Sequence, residues 1–192
     1  MSARKGSIFA GKELRFLREL SRAGVDYMVV GLSAAALQGA PVVTQDVDLW
    51  FRDLADPRIS KALKRVGASY LPPVGGNPPV FVGEAVELFD IVTGMHGLGE
   101  FEKERKGALK IRIGSFRVPV LPLDRIIKSK KALGRPKDRL YLRVLTDTQA
   151  ARGRQPPCSK RRSQTQASEF GVTSGRIARP AGTKSVRDTT AL

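Results

Sequence analysis

The chain has 192 residues, 41% of them apolar and 27% charged, a composition that suits one globular domain with appendages and is too polar for a membrane protein. With 34 Lys and Arg against 18 Asp and Glu the formal charge is +16, so polyanions such as RNA, DNA or triphosphates are attracted before any specific contact forms. No apolar run approaches the roughly 20 residues of a spanning helix; the basic start runs into Lys12, Glu13 and Arg15 rather than a signal core; and Cys158, alone, can neither close an internal disulfide nor make a zinc site by itself. A cytoplasmic location with no membrane partner is the expectation.

Residues Phe9 to Leu20 gather Phe9, Phe16, Leu17 and Leu20 on one face of a helix, with Lys12, Arg15 and Arg18 elsewhere, and Gly24 ends it. Tyr27-Met28-Val29-Val30 is a short apolar run suited to a buried strand, and Gly31-Leu32-Ser33 turns it into an Ala-rich helix over Ala34 to Gln38. Val47 to Phe51 reads as the second strand. Asp56 and Pro57 then supply an N-cap and first-turn proline for a helix carrying Ile59, Ala62, Leu63 and Val66, with Gly67 as its stop. Leu71 to Pro79, rich in Pro and Gly, is a loop, and Val80 to Val82 and Val86 to Val92 are strands. Lys110 to Ile113 and Phe116 to Val120 flank Gly114-Ser115 as a hairpin. Helices over Leu123 to Leu133, stopped by Gly134, and Pro136 to Leu145, started by proline, close the body; no internal repeat is visible.

The expected domain is therefore 1–149. From Ala150 to Leu192 the large apolar residues lose all period, and nine basic residues against two acids give +7. Such a segment buries too little surface to offset its ordering entropy, and residues 150–192 are expected to form a disordered basic tail.

Asp46 and Asp48 stand two apart at the start of a strand, so both carboxylates point to one face. The pair repels itself unless a proton or cation lies between, and Mg²⁺ takes carboxylate and phosphate oxygens together; read alone, an Asp-x-Asp is more often a pair of solvated or turn-capping acids. Asp90 lies inside an otherwise apolar strand between Phe89 and Ile91, where a buried carboxylate needs a partner. That partner is either a Lys or Arg of the closing helices, or the metals held by the first two acids, where Asp90 bridges an ion or takes the proton of an attacking hydroxyl. At the strand-to-helix turn, Gly31-Leu32-Ser33 offers backbone N–H groups and the positive helix end to a phosphate, with Ser33 adding a hydroxyl or acting as a plain N-cap. His96, the only histidine, is read as a loop residue rather than a substrate contact.

Taken in order, Val29-Val30-Gly31-Leu32-Ser33-Ala34, Thr44-Gln45-Asp46-Val47-Asp48-Leu49, Glu87-Leu88-Phe89-Asp90-Ile91-Val92 and Ser129-Lys130 through Arg135-Pro136-Lys137-Asp138 resemble the DNA polymerase β-like nucleotidyltransferase superfamily. Within it the similarity is to the small prokaryotic minimal nucleotidyltransferases and the abortive-infection toxins of the AbiEii type. The resemblance spans roughly residues 11–145 and implies a mixed α/β (α+β) core, a mixed sheet flanked by helices. Gly31 and Ser33 would place the triphosphate, Asp46 and Asp48 would bind two Mg²⁺, and Asp90 would complete the site. Lys130 and Arg135 would touch triphosphate or acceptor, and Asp138 would orient a neighbour. Two departures stand out: Leu32 follows the first glycine where a second small residue is usual, and Gln38 and Val42 stand where many relatives have His and Arg.

Two functions follow. The first is transfer of a nucleotide from a nucleoside triphosphate such as ATP to a hydroxyl of RNA (tRNA included), protein or a small molecule, in a toxin paired with an antitoxin protein or in another role. The alternative is a basic nucleic-acid-binding protein that keeps the fold without the chemistry, which explains the charge but not Asp90.

Overall fold

The computed structural model describes residues 11–153; the expected helix start at Phe9, Cys158 and the expected tail from 154 onward lie outside the described residues. Helix α1 (Gly11–Ala23) buries Phe16, Leu17 and Leu20, the stripe that the 3.6-residue period sets on one face. Strands β1 (Tyr27–Val29) and β2 (Val47–Phe51) are almost wholly buried, as continuous apolar runs require. Helix α2 (Gly31–Leu37) fills the crossing between them and α3 (Pro57–Arg65) follows β2. The expected N-cap of α3 is in place, Asp56 Oδ1 accepting from the Arg58 N–H at 2.9 Å.

The hairpin β6 (Leu109–Ile113) and β7 (Phe116–Val120) and the helices α5 (Leu123–Leu133) and α6 (Pro136–Gly153) complete the domain. With β5 (Phe89–Val92), the main sheet runs β5-β2-β1-β7-β6. It is mixed: β2 is antiparallel to β1 and parallel to β5, while β7 is parallel to β1 and antiparallel to β6. Beneath it Phe16 packs against Phe81 and Phe89 with ring centres 5.4 and 5.3 Å apart, a geometry in which aromatic pairs add to the burial of their area.

Four elements differ from the sequence expectation. Ser69–Leu71 is a strand, β3, paired antiparallel with β4 (Val80–Val82), so the Pro- and Gly-rich stretch is the loop of a hairpin. Helix α4 (Phe101–Lys106) is six residues long, too short to show a period; Phe101 meets the edge of Trp50 at 5.6 Å and Glu104 binds Arg125 of α5. The strand expected from Val86 begins only at Phe89, because Val86 to Leu88 form a turn. Helix α6 runs on past Leu145 to Gly153, through residues that carry no apolar period. Thr146 and Thr148 spend their hydroxyls on the carbonyls of Leu142 and Val144, and Arg152 reaches back to Gln38. The first residues assigned to the tail, Ala150 to Gly153, are thus helical.

Gln38 is the latch of this half of the molecule. Its amide donates to the carbonyls of Ala34 and Leu121, both at 2.9 Å, and its side-chain oxygen accepts from the Leu123 N–H and from Arg152. It thereby fixes α2 against the junction of β7 and α5. Gln38→Ala leaves a buried carbonyl and a buried N–H unpaired, and is expected to cost roughly 2 kcal/mol. Thermal denaturation should show a melting temperature about 4–8 °C lower for a domain of this size.

Candidate active site

The parallel pairing of β2 with β5 sets Asp48 directly opposite Asp90. Directly opposed residues share a face of the sheet, so the two carboxylates, 42 positions apart in the chain, are neighbours. Asp46, one pleat before Asp48, is held where β2 begins by a turn in which the Thr44 hydroxyl donates to the Asp46 carbonyl at 3.0 Å. All three line a cavity of about 700 Å³. The expectation that Asp90 is buried is corrected here: β5 is an edge strand, Asp90 is exposed, and no ion pair engages it among the described residues. Its carboxyl is nonetheless pushed up from the ordinary value, first by partial desolvation and then by the charge of Asp46. Burial, then Asp90, and to a smaller degree Asp46 push Asp48 up to about 6, against the opposing pull of Lys130 and Lys137.

Gly31 opens α2 with φ +66°, and a Cβ there would lie 1.9 Å from Asp48 Oδ2. Only glycine lets the carboxylate lie against the start of the helix, and only glycine takes this φ without strain. The Val30 N–H, one residue earlier, is bound to the Asp48 carbonyl at 2.9 Å, so turn and strand are tied at this point. Ser33 stands otherwise than as cap or cavity wall. It is fully buried, two residues inside the helix, and its hydroxyl donates to the Val30 carbonyl at 3.0 Å. Val30 occupies the cap position, and Leu32 lines the cavity beside Gly31.

The opposite wall comes from α5 and α6. Asp138, 1% exposed, accepts from Lys130 Nζ at 2.8 Å and from Arg135 Nε at 2.7 Å. Burial alone would raise its pKa; the two hydrogen bonds and the positive charges outweigh this and hold it below the ordinary value. The carboxylate thus fixes both cations at the cavity, with Lys130 also 5.7 Å from the centre of the Tyr141 ring. Lys137 and the exposed His96 line the same cavity. His96 is brought there by Gly97, whose φ of +69° seats the loop so close to α5 that a Cβ would lie 2.5 Å from Ala132 Cβ. The sequence signal for His96 was its place just after β5.

The donor chemistry fits a hard divalent cation: three carboxylates on one wall, two raised in pKa by burial and mutual charge, with oxygen the sole ligand atom they offer. As the side chains stand, no three His, Cys, Asp or Glu among the described residues converge closely enough to hold an ion.

The mixed sheet with helices on its flanks matches the fold of solved nucleotidyltransferases. A crystal structure of ANT(2″)-Ia in complex with adenylyl-2″-tobramycin matches with a TM-score of 0.50 and 13% identity, over 73% of this chain and 88% of that one. The solution structure of the antibiotic-resistance factor ANT(2″)-Ia matches with 0.52 and 13%, over 73% and 84%. TM1012 of Thermotoga maritima, assigned as a nucleotidyltransferase, matches with 0.50 and 18%, over 70% and 89%. No protein-family model matches the chain, and no curated protein matches it in sequence. Among the described residues, no helix is long and apolar enough to cross a membrane.

Proposed function

We propose that the protein transfers a nucleoside monophosphate from a nucleoside triphosphate to a hydroxyl acceptor. The observation that carries this reading is the pairing of Asp48 with Asp90, beside Asp46, on one wall of a cavity whose other wall holds Lys130, Arg135 and Lys137. Anionic and cationic walls facing across one space suit a triphosphate held at both ends, which a passive nucleic-acid surface does not need. Asp46, Asp48 and Asp90 would hold Mg²⁺, which when bound offsets the charge of the triphosphate and of the departing pyrophosphate. Lys130 and Arg135, already aimed by Asp138, bind phosphate oxygens. Gly31 and Leu32 line the same cavity, and the absence of a side chain at Gly31 leaves room there for the Asp48 carboxylate. Ser33 braces that turn from behind. Asp90, exposed at the edge of the sheet, takes the proton of the attacking hydroxyl.

The order of the sequence motifs supports placing the chain near the AbiEii-type enzymes, cytoplasmic toxins that act beside an antitoxin. The test is thermal denaturation with each nucleoside triphosphate, with and without Mg²⁺. A triphosphate at 100 times its Kd should stabilise the protein by about 2.7 kcal/mol, only with Mg²⁺, and Asp46→Ala should abolish the shift. If no triphosphate gives a Mg²⁺-dependent shift, the alternative of an inactive nucleic-acid-binding protein takes its place.

A further inference from the structure

Asp48, Asp90 and Val92 line a second cavity, of about 520 Å³, whose remaining walls are separate from those of the first. All four residues of β5 line it. Successive strand residues face opposite ways, so the cavity runs along the outer edge of β5, the side that the sheet order leaves without a neighbouring strand of that sheet. Pro78, Pro79 and Val80, where β4 begins, form the facing wall.

The chain carries +16 overall, yet no Lys or Arg lines this cavity; its charged residues are Asp48, Glu87 and Asp90. The nearby Lys12, which feels the charge of Glu87, is hydrogen-bonded to Glu84. That pair is neutral, and Glu87 adds negative charge at the mouth.

Given the nucleotidyl transfer proposed above, on which this step rests, the attacking hydroxyl must approach the α-phosphorus from the side away from the leaving pyrophosphate. The cations suited to the triphosphate line only the first cavity. We infer that the second cavity admits the acceptor, and that the acceptor is a molecule carrying an ammonium or guanidinium group beside its hydroxyl rather than a nucleic acid. A phosphate backbone laid here would meet Glu87 with no basic side chain in the lining, whereas a cation is drawn in by it. In the reaction, the acceptor oxygen bonds to the α-phosphorus and the bond from that phosphorus to the bridging oxygen of the β-phosphate breaks. Pyrophosphate leaves with the electron pair, and the hydroxyl proton passes to Asp90.

The experiment is transfer of α-labelled nucleotide by the full chain with Mg²⁺, offered in parallel amino sugars, a peptide of residues 159–168 of this chain, which is rich in Ser, Lys and Arg, and total RNA. Label is expected on an amino sugar or on the peptide, and which one takes it identifies the source of the cation. Glu87→Lys replaces an attraction with a repulsion of similar size and should raise the acceptor KM about tenfold, with Glu87→Gln raising it about threefold. Glu87 is exposed and lies in a turn, so both variants should fold, and the triphosphate-induced melting shift should stay at its wild-type value. Label on RNA, bound triphosphate with no label on either cationic acceptor, or a KM indifferent to Glu87→Lys would overturn the inference while leaving nucleotide transfer standing. Absence of any Mg²⁺-dependent triphosphate binding would overturn both.

Discussion

Asp48→Asn should stop turnover and make the metal-free protein more stable at neutral pH. Loss of a central ligand removes several kcal/mol of transition-state stabilisation, a rate lower by roughly a thousandfold or more. The stability gain follows from linkage. Asp48 titrates near 6 in the folded protein against an ordinary value of 3.8, so between those values the folded state keeps a proton that the unfolded chain has released. The protonated carboxyl supports the fold fully below about pH 4, and that support is lost as pH rises through 6, a difference of roughly 3 kcal/mol for a mostly buried group. Asparagine keeps the shape of the side chain against Gly31 and carries no charge to desolvate. Denaturant titrations of the Mg²⁺-free wild type should show stability falling from pH 4 to 7, and the variant should lack that slope. A variant that is less stable than wild type at pH 7.5 would show that the charge at Asp48 is compensated in the folded protein.

Gly31→Ala is the second large effect. The added methyl would occupy the space of the Asp48 carboxylate, at 1.9 Å from Oδ2, and the left-handed backbone costs an ordinary residue about 1–2 kcal/mol. Either the carboxylate swings away or the turn shifts, and displacement of a reacting group by about 1 Å lowers the rate on the order of a hundredfold. The two variants separate by their pH behaviour: Gly31→Ala retains a titrating carboxylate and a pH-dependent stability, and Asp48→Asn does not. Wild-type kcat in Gly31→Ala would show that the close approach of backbone and carboxylate has no part in catalysis.

The residues of this site were legible in the sequence to the extent that strand period and turn chemistry are local. Asp46 and Asp48 at the start of an apolar run, glycine at the end of another and Gly134 as a helix stop all rest on interactions within a few residues. Register is not local. That Asp90 faces Asp48 depends on a parallel pairing across a crossover connection, and that β5 is an edge strand depends on the order of all five strands in the sheet. Hence Asp90 read as buried, although it is exposed. Ser33 misled for a related reason: a serine after a glycine turn is an ordinary capping signal, and only the depth of α2 in the core turns its hydroxyl back onto Val30. The last turns of α6 hide behind Thr and Gln because their anchor, Arg152 on Gln38, joins residues 114 apart. The departure at Gln38, visible as an unusual residue, proved to be a structural one, with four partners in place.

Under the proposed function, assembly of the site depends on an edge strand. In the main sheet, β5 is bound to β2 alone, and detachment of one edge strand is a smaller opening than global unfolding. If β5 frayed, Asp90 would leave Asp48 while β2, β1, β7 and β6 kept their order, and Phe89 would be drawn from its packing on Phe16. Each excursion is invisible to a melting curve and visible in amide exchange of Asp90 to Val92. A ligand lodged along that edge would then do more than react: by holding the strand down it would lengthen the fraction of time for which the carboxylates stand together.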